Sequence, residues 1–425
     1  MTERHGMTQA SSAVKAPDPE TRTRVDRRLA TSLGFAQFGS FLVWGAAPAV
    51  LLARHLEEID PARKETNLAL VITVGAVVSV FAQPVWGLFS DRSRSRFGRR
   101  APYILAGAVL GAAGLIATAL SHTAMTVLVS WCVVQAAVTG GNGVLVAILP
   151  DRVPVAVRGT VSAVLGFGSM AGILGGQILA SALVPHGMLL TYGCVAGLLV
   201  LTALVFVIAC PEPAAPARER SRLSLATLVH VVWVNPRRHP DFAWAVVSRM
   251  LLLLGYHTVG AYQLYILQDY AGLGRDEALA AIPTVGLVSL SAGLVAVLVC
   301  GRLSDRLNRR KPFVAVSTAV IGLGLGMPFL MPSLDGVLLY AALAGLGFGC
   351  YQTVDTALIS EVLPSQEDAA KDLGVASLAS HVPHVLAPAL AGLVVVNFGY
   401  RPLFAMAFVL SLLGVLCVLP IKSVR

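Results

Sequence analysis

The chain has 425 residues, of which 56% are hydrophobic and only 13% charged, with a formal net charge of +9. A water-soluble domain carries about 25% charged residues, so this composition excludes a soluble enzyme, a disordered protein and a disulfide-stapled secreted domain and leaves a polytopic membrane protein embedded in a lipid bilayer. The six cysteines (Cys132, Cys194, Cys210, Cys300, Cys350 and Cys417) form no Cys-x-x-Cys pair, which signals neither a zinc site nor a disulfide framework.

Residues 1–28 are polar and lack the apolar core of a signal peptide, so they read as a disordered cytosolic tail. Apolar runs of about 20 residues, the length that crosses a hydrocarbon core, then recur. The predicted spans are Leu29–Ala53, Asn67–Phe89, Ala101–Ser121, Ala124–Leu149, Val157–Val184, Met188–Cys210, Phe242–Gln268, Ala278–Cys300, Phe313–Met331, Val337–Ser360, Leu373–Val396 and Pro402–Ile421. They must be helices, because lipid offers no partners for open backbone groups. Residues 211–240 form a proline- and arginine-rich linker, dividing the chain into a first bundle (29–210) and a second (241–421), with 422–425 as the C-terminal end.

With the N-terminus inside, the cytosolic segments hold 26 lysines and arginines and the opposite side holds five. That asymmetry places both termini in the cytosol of a cell-membrane protein. It also accounts for the positive charge without nucleic acid as a partner.

Gly87-Leu-Phe-Ser-Asp91-Arg92 follows span 2, and Gly301-Arg-Leu-Ser-Asp305-Arg306 follows span 8. Asp91 and Asp305 are 214 residues apart, as are Leu149-Pro150 and Leu363-Pro364, which close spans 4 and 10. Two unrelated landmarks sharing one offset indicate a duplicated six-helix unit. Twelve spans in two pseudo-symmetric sixes, a basic central loop and the repeated Gly-x-x-x-Asp-Arg resemble the major facilitator superfamily. The loop Ser90-Asp91-Arg92-Ser93-Arg94-Ser95-Arg96-Phe97-Gly98-Arg99-Arg100 resembles that of the sucrose–proton and related glycoside–cation symporters.

The resemblance implies alternating access, with a central site opening to each side in turn. It makes Gly87, Asp91, Arg92, Arg96, Gly98, Arg99 and Arg100, with Gly301, Asp305, Arg306, Arg309, Arg310 and Lys311 in the second copy, the gating residues. Asp91 at a helix end can bind arginines and the positive end of a neighbouring helix; the alternative is that these cations only set topology. Gly87 and Gly301 are expected at close helix contacts.

Charges inside spans are costly and point to function. Arg249 in span 7 and Asp355 in span 10 lie at matching depths of about 10 and 8 Å from the cytosolic side, at 1.5 Å per residue. An Arg249–Asp355 pair keeps either charge from being buried alone. A carboxylate that gains and loses an arginine partner changes its proton affinity, so Asp355 is the coupling candidate for a proton or sodium ion, the alternative being a static pair. His257 and His384 are further relay candidates. Amides and aromatics suit a polyol or sugar: Gln37, Trp44, Gln135, Asn142, Gln177, Tyr256, Tyr262, Gln263, Tyr351 and Gln352 form that set. Taken singly, each serves equally well as a bond between helices.

No metal cluster, nucleotide-binding glycine loop or nucleophile–base pair is apparent, so the chain reads as cofactor-free and not an enzyme. The expectation is cation-coupled symport of a sugar or glycoside. The alternative is proton-coupled efflux, to which Gly159, Gly168 and Gly172 in span 5 partly correspond.

Overall fold

A computed structural model describes residues 26–93, 95, 98–211, 239–307, 310–361 and 369–421. The expected tail and almost all of the linker lie outside these residues. Among the described residues there are twelve helices long and apolar enough to cross a membrane, and no strand. Spans 1–6 are Arg27–Ile59, Pro61–Arg92, Ala101–Ala119, Ala124–Arg152, Val155–His186 and Met188–Ala209. Spans 7–12 are Pro240–Gly260, Arg275–Cys300, Lys311–Leu330, Leu334–Asp355, Ala379–Phe398 and Tyr400–Val418.

Local sequence explains the ends. Asp26 caps span 1 by accepting from the backbone of Arg28 and Leu29, and Thr123 and Thr126 form a reciprocal cap on span 4. Span 1 contains a π-helical turn at Ala47–Leu52, and a second follows span 7 at Ile266–Tyr270. Span 7 was expected to run unbroken to Gln268. Instead its helix ends at Gly260, and residues 263–270 form a separate short helical piece. No proline marks this break, and the apolar run continues through it, so hydropathy alone could not reveal it.

Packing repeats with the sequence. In the first bundle, span 1 packs on 5 and 6, span 4 on 2 and 3, and span 3 on 6. In the second, span 7 packs on 11 and 12, span 10 on 8 and 9, and span 9 on 12. Adding six to each number converts one set into the other. Spans 2 and 11, and spans 5 and 8, join the bundles; these two contacts are also exchanged by the same shift, as a pseudo-twofold axis requires. Span 5 lies close to span 1 because it presents Gly168, Gly172 and Gly176 to that helix's carbonyls. Two of the three glycines that suggested efflux therefore have a packing role, and a Cβ at the third, Gly159, would meet nothing within 4 Å.

Candidate functional site

On the side of the termini, the loop after span 2 is tied to the end of span 4. Asp151 accepts from Arg99 and from Arg100, whose Nε lies 2.7 Å away. Arg100 is only 6% exposed and also reaches Asp91 at 3.8 Å and the Val144 carbonyl at 3.5 Å. Gly98 supports the turn with φ of +93°, a conformation that favours glycine. Arg92 is exposed. Asp151 was missing from the sequence reading, although it directly follows the Leu149-Pro150 landmark. Arg96 and Arg309 lie outside the described residues, as do the surroundings of Gly301 and the side chain of Asp305. Arg306 is exposed; Arg310 precedes span 9, and Lys311 donates to the carbonyls of Leu419 and Ile421 at 2.7 and 2.6 Å. A Cβ at Gly87 would meet nothing within 4 Å, so the close helix contact expected there is not made in this conformation.

Within the second bundle, Arg249 Nε lies 3.4 Å from Asp355 Oδ2, and Asp355 is 2% exposed. The pair bridges spans 7 and 10. Both facing atoms lack an aligned hydrogen bond, so Coulomb attraction holds this contact. Tyr351, one turn earlier on the same helix face as Asp355, is 1% exposed, with its hydroxyl beside that carboxylate. Removing either partner would leave the other charge buried alone, at a cost of about 3–5 kcal/mol.

Beside it runs an aromatic series. Phe348 stacks on Tyr256 with centroids 4.6 Å apart, Tyr256 meets His257 edge-on at 5.4 Å, and His257 lies 3.7 Å from His384 of span 11. His384 of span 11 and Gln352 of span 10 are exposed.

The other polar candidates separate into three groups. In the first bundle, the Trp44 indole donates to Gln135 at 3.4 Å and Gln37 donates to Ser169 at 3.1 Å. Asn142 faces a small cleft among spans 1, 3, 4 and 6, inside that bundle. Gln177 sits at the seam between spans 5 and 8, where a Cβ on Gly286 would collide with its amide oxygen. Tyr262 also lies at a seam, donating to the Glu65 carbonyl at 3.2 Å, and Gln263 beside it is half-buried.

Polar contacts that join the two bundles lie on the face away from the termini. Tyr265 donates to Ala53 O at 2.6 Å, Lys64 pairs with Asp269 at 2.7 Å, and Arg275 approaches Glu57 at 3.9 Å. Tyr400 reaches Glu65 at 3.1 Å. Gly392 of span 11 completes the closure, where a Cβ would stand 2.5 Å from that of Ala69.

Comparison with known proteins accounts for this architecture. The family model for the Major Facilitator Superfamily matches residues 29–330 and 278–424. An uncharacterised MFS-type transporter of Schizosaccharomyces pombe is 25% identical over 193 residues, 43% of this chain and 41% of that protein. The chain thus matches about two fifths of the length of that curated relative. A crystal structure of the nucleoside transporter NupG superposes with a TM-score of 0.74 at 15% identity, covering 92% of this chain and 99% of the other. A bacterial homologue of the human lysosomal transporter Spinster, in an inward-facing and unoccupied conformation, gives 0.64 at 14% identity over 93% of each chain. These two likenesses concern the fold. With the family model spanning almost every described residue, the chain belongs to the major facilitator superfamily and is a multi-pass, non-enzymatic transporter.

Proposed function

We propose that the protein moves a small polyhydroxylated solute across the cell membrane by cation-coupled symport, with both termini in the cytosol. The observation that carries the coupling is the buried Arg249–Asp355 pair. It joins two helices of one bundle, so a rearrangement of span 7 against span 10 alters the carboxylate's only charged partner among the described residues. Proton or sodium binding at Asp355 then alternates with its bond to Arg249. The sugar or glycoside class is supported by the loop resemblance after span 2 and by the Gln37, Trp44 and Gln135 group. That group offers an apolar ring with amides beside it, which suits a sugar's apolar face and hydroxyl rim.

The test is transport by the full chain in proteoliposomes. Sugar accumulation that an uncoupler abolishes is expected. Asp355→Asn should lose uphill accumulation by at least about tenfold, equivalent to about 1.4 kcal/mol of coupling, while solute exchange persists. Unchanged accumulation in that variant removes Asp355 from the mechanism. Proton-driven expulsion of an amphipathic cation, without sugar uptake, replaces import with efflux.

A further inference from the structure

Four rings from three spans of the second bundle form a series that the Arg249–Asp355 pair does not use. Phe348 of span 10 stacks on Tyr256 of span 7 with 9° between planes, Tyr256 meets His257 edge-on, and His257 lies against His384 of span 11. The two imidazoles stand 3.7 Å apart between centroids, with 31° between their planes. A hydrogen bond between ring nitrogens would hold the centroids about 5 Å apart, so these rings meet by their faces. Among the described residues no three of His, Cys, Asp and Glu are grouped to hold a metal ion, which leaves stacking as the chemistry this pair offers.

The place where the series ends decides what it can do. His384 is exposed, yet Ala387 and Ala391, three and seven residues further along span 11, are both 0% exposed. At about 3.6 residues per turn these three positions form one stripe of the helix. Gly392, next to Ala391, packs on Ala69 of the first bundle, so this side of span 11 looks toward the other bundle. Span 11 starts on the side of the termini, and its stripe is enclosed by protein from Ala387 onward. His384 therefore opens onto an internal space on the side of the termini and not onto lipid.

The first bundle supplies a complement. The Trp44 indole donates to the Gln135 amide at 3.4 Å, and the 214-residue offset sets His257 against Val43, next to Trp44. A pseudo-twofold axis along the membrane normal preserves depth, so the indole–amide group and the imidazole pair lie at one level in the two bundles.

We propose that the solute carries a planar aromatic ring joined to its hydroxylated part, as in an aryl glycoside, and that His384 stacks on that ring while the Trp44–Gln135 group takes the sugar. This assignment rests on the polyhydroxylated-solute reading and adds to it the class of the aglycone. Rings already held by their neighbours lose little freedom when one more is laid on the end. Imidazole also suits a surface that stands in water when the site is empty, because its polar edge stays solvated.

The test is calorimetric binding to the full chain in lipid nanodiscs of matched methyl, cyclohexyl and phenyl glycosides of glucose and galactose, in both anomers. The phenyl member of at least one set should bind about tenfold more tightly than the methyl member, the scale of an added aromatic contact, with the cyclohexyl member between them. His384→Ala should remove most of the phenyl advantage and leave methyl glycoside affinity unchanged, and His384→Phe should restore the advantage. A phenyl advantage kept in His384→Ala, a cyclohexyl member as tight as the phenyl one, or an equal loss of all three ligands in His384→Ala overturns the aromatic site. Methyl and phenyl members binding equally to the unaltered protein overturn it too and leave the polyhydroxylated-solute reading standing. Absence of binding by every member overturns both.

Discussion

The two faces of the molecule use charge in opposite ways. Near the termini, Arg99, Arg100, Asp91 and Asp151 bind one another within the first bundle, and Lys311 binds carbonyls within the second. On the opposite face, Lys64–Asp269, Arg275–Glu57 and Tyr400–Glu65 each cross from one bundle to the other. A bond within a bundle fixes that bundle's shape whichever face is open. In the transport cycle proposed above, a bond between bundles exists in one conformation and breaks in the other. The charges near the termini are more numerous in sequence, yet Lys64, Asp269, Arg275 and Glu57 on the opposite face are the ones that tie the bundles together here.

That contrast can be broken by substitutions of decreasing expected effect. Asp151→Ala leaves the buried Arg100 without its main partner, and losing a charged hydrogen bond of this type costs about 1.5–3 kcal/mol. Thermal unfolding should register that loss while label distances across the opposite face stay unchanged; a changed distance shows that the loop after span 2 does reach the other bundle. Gly286→Ala wedges a methyl against Gln177 at the seam of spans 5 and 8. A small overpacking of about 1 kcal/mol is expected, and it should appear chiefly as increased accessibility of the face away from the termini to a membrane-impermeant thiol reagent at an introduced cysteine. Gly87→Ala has open space around it, so stability should hold or rise by up to about 1 kcal/mol from helix propensity. Its value is directional. If Gly87 meets a neighbouring helix when the terminal face closes, the variant favours the present conformation, and a population shift the other way discards that contact.

Much of the candidate site was legible from charge alone. Arg249 and Asp355 stand out because an ionisable residue in an apolar run has no inexpensive explanation, and equal depths made a 3.4 Å contact foreseeable. Asp151 was not foreseeable in the same way. It sits at a span's end, where acidic residues are common, and only the turn of the chain at Gly98 brings Arg99 and Arg100 onto it. The same limit applies to Tyr262, which belongs to an amphipathic set suggesting solute binding but lies at the seam with its hydroxyl on Glu65 O. Hydropathy reports whether a residue lies in a span and is silent about which neighbour that span faces.

By itself, the sequence determined the number of crossings, their helical form and the internal repeat. Those follow from the cost of unsatisfied backbone in lipid and from a pattern printed twice at one spacing. The tertiary structure alone decided which residues meet across the two bundles, because hydropathy and the repeat fix each span but not the neighbour it faces. Those contacts are made by residues such as Glu65, Asp269 and Tyr400 that lie far apart in the chain and acquire a joint meaning only when the bundles meet.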